Sequence, residues 1–384
     1  SDVYKRQGLH FIMNFKLPKI TIYDRYIFKQ VAMASLVAIL LFSIVWIAPE
    51  ILLNTIKGAL AGEYGFKTAI LLLIYEMPKI LDKAFPVGLL LGTLFTFDKL
   101  SKDSEITIFR AVGMSFPRII APVVVLSLIF TALCFFTGDR ATPYAAEKMR
   151  AIRGYMISTQ YIYTQKDNTG HPLMAVIVSK SMNRKLENVI VLDFSSHVYQ
   201  DVHQLSNIYS AKTGYAYDDK WVLNDISNYK ISNDGIYIDI NHLDKMNILE
   251  GKAASNAYTL MTYSTFKERD ITNKNLKRYV NLLKQENLSE DYHGMLNKYL
   301  QRFFHPFVCV LLAILGCLLG FSKPREQRLI GFTIAIGCIF VYYITLPFFD
   351  LLAEKEILPP LITATFPTIA FLCAILGFYK SKDL

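Results

Sequence analysis

Six stretches of this chain are long and apolar enough to cross a bilayer, and that leaves few architectures open. Segments buried in lipid must satisfy every backbone polar group internally, so each predicts a helix. Gln30–Ala48 carries no charged residue; Ile119–Thr137, Phe303–Phe321, Leu329–Phe349 and Leu358–Tyr379 match it in character. The remaining stretch, Phe66–Phe97, would make ~48 Å of helix against a hydrocarbon core of ~30 Å. Pro78 and Pro86 lie inside it and predict a kinked helix that emerges from the membrane.

Lysine and arginine placement orients these helices. Thirteen such residues fall in Met13–Lys29, Asp98–Arg118, Ser322–Arg328 and Lys380–Leu384, against two in Thr55–Gly65 and Ala353–Ile357. The expected fold class is an α-helical membrane protein with six transmembrane helices and both termini cytosolic. Topology thus accounts for the net charge of +9, and nucleic acid is not expected as a partner. Composition agrees, with 53 % hydrophobic residues and a mean hydropathy of +0.30.

After Gly138 the periodicity changes. Arg140–Arg153 is a polar helical lead-in. From Ser158 to about Asn256 short alternating runs (Tyr161–Thr164, Met174–Val178, Asn188–Leu192, Ile236–Ile240) are punctuated by Asp167–Gly170, Asp218-Asp219 and Asn233–Gly235. A period of two with frequent turns predicts seven or more strands in an all-β sandwich or open barrel. That domain would sit outside, between spans three and four. Tyr258–Tyr299 is again polar and helical. The division that follows is 13–137 for three helices, 138–270 for the external β-domain, 271–302 for a connector and 303–384 for three more helices. Residues 1–12 read as an upstream or artefactual segment, because Met13 is the more natural start.

Chemistry of the enzymatic kind is not expected. The sequence has no Gly-x-x-x-x-Gly-Lys-Ser/Thr phosphate loop, no nucleophile–base motif and no His/Glu metal box. Cys134, Cys309, Cys317, Cys338 and Cys373 all lie in apolar runs without metal-ligand spacing, so neither disulfides nor a metal site is expected.

Two polar features remain. In the loop Asp98–Arg118, Asp103 or Ser104 can cap a short helix of about 104–112, with Glu105 in its first turn and Gly113 and Pro117 as stop signals. Ile106, Phe109 and Val112 give it an apolar edge, while Glu105 and Arg110 are charged contacts. Such a helix either meets a cytosolic partner or lies on lipid headgroups. The second feature is a stripe inside the long stretch, Glu76, Lys79, Asp82 and Lys83, which spans about 120° of helix. Three readings stand open: snorkelling to the outer interface, a structural salt bridge, or a cavity mouth that meets the phosphates of an outer-leaflet lipid.

Several of these stretches carry a resemblance. They are Asp24-Arg-Tyr-Ile27, Met77-Pro78 to Pro86, Leu89-Leu-Leu-Gly-Thr-Leu94, and Leu100-Ser-Lys-Asp-Ser-Glu-Ile-Thr-Ile-Phe-Arg-Ala-Val-Gly113. The pair Ala211–Leu223 with Trp221, Arg302-Phe-Phe-His-Pro306, Tyr342-Tyr343 and Leu358-Pro-Pro360 follow in order. From about Tyr23 to Gly377 the chain resembles the LptF/LptG permeases of the lipopolysaccharide-export ABC transporter. It departs from many relatives at Thr365-Phe-Pro-Thr368, where they carry Trp before the proline and Asn after it.

The resemblance implies an inner-membrane permease paired with a second permease chain, either a paralogue or a copy of itself. It implies a cytosolic ABC ATPase dimer that uses ATP, no cofactor on this chain, and a periplasmic jellyroll bridge protein that receives lipopolysaccharide. Asp103, Ser104, Glu105, Ile106, Phe109 and Arg110 would form the coupling helix, with Glu105 in a basic groove of the ATPase. The β-domain would be a jellyroll whose inward positions, Ile177 and Val191, line a lipid conduit. Other readings are a lipoprotein-releasing or mechanotransmission-type subunit, for which four spans are expected, and a scaffold that transports nothing.

Overall fold

Thr21 and Asp24 open the first helix by capping each other. The Asp24 carboxylate accepts from the Thr21 backbone N–H at 2.9 Å, and the Thr21 hydroxyl accepts from the Asp24 N–H at 3.3 Å. The helix that follows, α1 (Ile22–Ile47), begins a computed structural model that describes residues 21–47, 52–62, 64–153, 161–166, 171–182, 184–194, 197–199, 202–232, 237–286, 288–321 and 329–381. The segment 1–12, the basic loop Ser322–Arg328 and the turns Asp167–Gly170 and Asn233–Gly235 lie outside the described residues.

A short helix α2 (Leu53–Leu60) leads to α3 (Phe66–Lys102), α4 (Glu105–Ala111) and α5 (Phe116–Phe136). One π-helical turn, Thr137–Ala141, joins α5 to α6 (Thr142–Arg153). After the strands come α7 (Lys252–Ser264), α8 (Asn273–Gln285), α9 (Ser289–Phe304), α10 (Val308–Gly320), α11 (Leu329–Glu354) and α12 (Pro360–Ser381). Among the described residues six helical segments are long and apolar enough to cross a membrane: Ile22–Ile47, Phe66–Lys102, Phe116–Ile152, Asp291–Gly320, Gly331–Glu354 and Pro360–Lys380.

The long segment is a single helix of 37 residues that passes through both prolines. It is also the spine of the bundle, with 72 % of its membrane-length window buried against 11 % for α11. Small residues allow the close approach. A Cβ on Gly92 would stand 2.5 Å from the Ser35 Cα of α1, and one on Gly316 of α10 would stand 2.6 Å from the Leu90 carbonyl oxygen. α1, α3, α5 and α10 supply most of one apolar core.

Among the described residues there are eight strands: β1 (Tyr161–Lys166), β2 (Pro172–Met182), β3 (Lys185–Asp193), β4 (His197–Tyr199), β5 (Val202–Gln204), β6 (Asn207–Ala216), β7 (Lys220–Ile231) and β8 (Tyr237–Glu250). Six form one antiparallel sheet in the order β1-β2-β3-β6-β7-β8, and β4-β5 is a separate hairpin. The layer against this sheet is helical. Val176, Val191, Leu223 and Ile248 bury with Ala257 and Leu260 of α7 and with Leu276 and Val280 of α8. Trp221 Nε1 donates to the Ala254 carbonyl at 3.2 Å and pins α7 to the strands.

The register corrects one expectation. Val191 pairs with Val176 and Ile177 with Ile190. Side chains alternate between faces along a strand, and directly paired residues share a face. Val191 is therefore buried against the helices, while Ile177 lies on the opposite face with Ile190 and Ile162. The two cannot both line one conduit.

Candidate functional site

α3 and α11 run antiparallel. The Phe95 and Phe332 rings lie 5.8 Å apart at one level, and the Tyr343 hydroxyl donates to the Lys83 carbonyl at 3.2 Å at another. Between these helices, α1 and α9 opens a cavity of about 720 Å³. The antiparallel order sorts its lining. Val87 and Leu91 of α3 with Phe332, Ile336 and Phe340 of α11 form an apolar end. Lys79, Asp82 and Lys83 of α3, Lys298 and Arg302 of α9, Asp350 of α11 and the connecting residues Glu268 and Arg269 form a charged end.

Of the four residues of the charged stripe, Lys79, Asp82 and Lys83 line this cavity and Glu76 does not. Lys79 is engaged. Its Nζ lies 3.1 Å from Asp270 Oδ1, with Glu76 farther off at 3.9 Å. Its main partner is thus on the turn between α7 and α8, not on its own helix. Arg150 holds the other Asp270 oxygen at 3.6 Å. Asp82 Oδ1 accepts from the Cys134 thiol at 3.1 Å. Lys83 instead places its ammonium 4.5 Å from the centroid of the Trp46 ring.

Several cavity residues escaped the sequence reading. Asp350 accepts from Asn297 Nδ2 and Gln301 Nε2, both at 2.7 Å, and pairs with Lys298 at 3.3 Å. The signal was present: Asn297, Lys298 and Gln301 share one helical face, and Asp350 is the lone acid at the end of an apolar run. Arg302 donates to the Ile271 carbonyl (2.7 Å), to Asn273 Oδ1 (2.8 Å) and to the Glu268 carbonyl. It braces the turn that carries Asp270.

The loop helix sits at the other end of α3. It starts at Glu105, and Ser104 adopts a left-handed conformation (φ 62°) with no side-chain cap, contrary to the capping expected of Asp103 or Ser104. Asp103 instead closes α3. Gly113, at φ 84°, ends the turn as its conformational freedom allows. The apolar edge is divided. Ile106 is buried in the bundle and Phe109 meets Tyr23 edge-on at 4.7 Å, so both hold the helix in place. Val112 is 72 % exposed, and Ile108, not part of the expected edge, is 59 % exposed. Glu105 accepts the Tyr26 hydroxyl on both oxygens (3.0 and 2.9 Å), and Arg110 stands 5.6 Å from the Phe321 ring. Arg118 grips Asp24 through both nitrogens at 2.7 and 2.8 Å.

The sequence matches the family described as lipopolysaccharide export system permease LptF/LptG over residues 25–381. The chain belongs to the LptF/LptG family. It is 21 % identical over 370 residues to the lipopolysaccharide export system permease protein LptG of Haemophilus influenzae, covering 94 % of this chain and 98 % of that protein. Family and helices together make it a multi-pass membrane protein of the permease type.

Proposed function

We propose that this chain is one permease of an ABC transporter that lifts lipopolysaccharide from the outer leaflet of the inner membrane and passes it to a periplasmic jellyroll bridge. A cytosolic ATPase dimer supplies the work, and a second permease, a paralogue or another copy of this chain, completes the membrane core. Both termini lie in the cytosol, and the sheet with its helices, inserted between spans three and four, lies in the periplasm.

One observation carries this reading. The cavity is apolar at one end and charged at the other, and its charged end is built partly from the Glu268–Asp270 turn that joins the two helices packed under the sheet. That arrangement suits a lipid whose acyl chains occupy the apolar end and whose phosphates meet Lys83 and Arg269. The open sheet face bearing Ile162, Ile177 and Ile190 is the dry path onward. On the cytosolic side Ile108, Val112 and Glu105 are the contact offered to the ATPase, with Asp103, Ile106, Phe109 and Arg110 setting its position.

Photo-cross-linkers in the assembled, ATP-hydrolysing complex test the path. A probe at Ile177 captures lipopolysaccharide, whereas one at Val191, against the helical layer, captures none. Lipid captured at Val191 alone, or at neither position, removes the conduit from the account.

A further inference from the structure

A second cavity, of about 950 Å³, lies between α6, α7 and the Glu268–Asp270 turn. The turn has a side in each cavity: Glu268 and Arg269 line the one described above, Asp270 and Ile271 line this one. α5 has 21 residues, which make ~31 Å of helix against a hydrocarbon core of ~30 Å, so Phe136 stands where acyl chains give way to headgroups. Phe136 is exposed and also lines the second cavity, so the lipid-facing surface of α5 runs into it.

Beyond Phe136 the helix passes through the π-helical turn Thr137–Ala141, a distortion frequent at functional sites. Arg140, Tyr144 and Glu147 then follow one another along the cavity wall. The Arg140 side chain is 75 % exposed, and its ion partner is the adjacent Asp139 at 3.4 Å. Glu147 is exposed and forms no ion pair among the described residues. Arg150, by contrast, is engaged, 3.6 Å from Asp270 Oδ2 and 3.9 Å from the centroid of the Phe266 ring. Thr262 Oγ1, on the α7 side, is buried without a hydrogen-bond partner among the described residues, a cost that a bound polar group would remove.

We propose that this cavity seats the headgroup of a zwitterionic aminophospholipid, with its phosphate on Arg140 and its ammonium on Glu147. The order of charges matches. In such a lipid the phosphate adjoins the glycerol and the primary ammonium lies beyond it, so a cation near the membrane and a carboxylate farther out meet them in turn. Arg140 lies about one turn past Phe136, and Glu147 about 10 Å past Arg140. Side chains on a helix tilt toward its N-terminus, here the membrane end, so the Glu147 carboxylate reaches back to the headgroup level. Tyr144 between them is exposed, and tyrosine is enriched at that interface. The Arg140 guanidinium offers phosphate a planar fork, and the Glu147 carboxylate accepts N–H bonds that a quaternary amine cannot donate. Seated there, the headgroup backs the Asp270 turn from the side opposite Lys79. The site does not depend on the cargo proposed above; only the leaflet follows from the proposed orientation.

The test uses the full chain, purified in detergent and stripped of lipid, with binding followed by native mass spectrometry. Phosphatidylethanolamine, phosphatidylcholine and phosphatidylglycerol are titrated separately, and soluble glycerophosphoethanolamine is added as a competitor. Phosphatidylethanolamine is expected to bind about fivefold more tightly than the other two, as one partly solvated ion pair provides. E147Q is expected to abolish that preference and leave phosphatidylglycerol binding unchanged, and R140Q to weaken all three. Equal binding of the three lipids, or a preference that survives E147Q, overturns the proposal. Displacement by glycerophosphoethanolamine at the lipid's own concentration overturns the lipid source. A benzophenone cross-linker in place of Tyr144, in nanodiscs that mix phosphatidylethanolamine with phosphatidylglycerol, leaves both charges intact and decides the matter should a charge variant not fold. It is expected to capture phosphatidylethanolamine in excess of its share of the bilayer; capture in proportion to abundance, or none, overturns the site.

Discussion

At its Asp98 end α3 meets charges held by close partners. Asp98 takes Lys102, Arg118 closes on Asp24 through two nitrogens, and both oxygens of Glu105 hold the Tyr26 hydroxyl. At its Glu76 end Lys79, Arg269 and Lys83 are held less closely, although Arg302 and Asp350 beside them are firmly bonded. Lys79 is shared between two carboxylates, Arg269 reaches Glu268 only at 3.9 Å, and Lys83 leans on an aromatic ring. Short, directional pairs fix a geometry, as the coupling role proposed for this end requires. Loosely paired cations keep their attraction for an incoming anion, which suits a receptor. One 37-residue helix carries both kinds of end.

Breaking the Asp98 end should have the largest effect. Arg118→Glu sets two carboxylates against each other and removes two charge-assisted hydrogen bonds, costing about 2 kcal/mol after allowance for partial exposure. Thermal unfolding of the detergent-solubilised protein should show the loss, and the reversed pair Asp24→Arg with Arg118→Asp should recover most of it. No change in the melting point would mean that this end is not a fixed handle.

At the other end, Lys79→Glu should cost less, about 1 kcal/mol, because the ion pair is partly solvated. The asymmetry of its two partners sharpens the case. Asp270→Lys should restore part of the folded protein in the Lys79→Glu background, since it leaves Arg150 facing a like charge, whereas Glu76→Lys should restore little and Glu76→Gln alone should be silent. Rescue by Glu76→Lys instead would make the pair local to α3 and detach the turn from the cavity wall.

The smallest stability effect belongs to Tyr26→Phe, expected within about 0.5 kcal/mol at this exposed site. Its effect on coupling should be larger than its effect on folding. ATP-driven lipid release should fall several-fold while the ATPase still co-purifies. Equal loss of release and of ATPase binding would show that Tyr26 only holds the complex together.

The membrane helices were legible because charge-free apolar runs leave the backbone no alternative. Their ends were less so. α3 continues past Phe97 because Lys99 and Lys102 are good helix formers and Asp98 pairs with Lys102, and a π turn carries the third helix on to α6. Strand positions were legible from alternation. The second layer was not, although Leu276, Tyr279, Val280 and Leu283 have helical spacing and all are buried under the sheet; the many lysines between them hid the stripe. In the cavity, Lys79 and Lys83 could be named from α3 alone. Their partners could not, since Asp270 and Trp46 approach only through tertiary packing.

The claim that the charged end of the cavity opens to water and takes a lipid headgroup can be tested at one atom. Lys83→Cys is made in a background in which Cys134, which lines the cavity, and Cys309, Cys317, Cys338 and Cys373 are all replaced by alanine or serine. A water-soluble maleimide should label position 83 in the reconstituted protein, and lipopolysaccharide should suppress that labelling in proportion to its occupancy. Absence of labelling with and without lipid, in protein that is folded and inserted, would contradict the account.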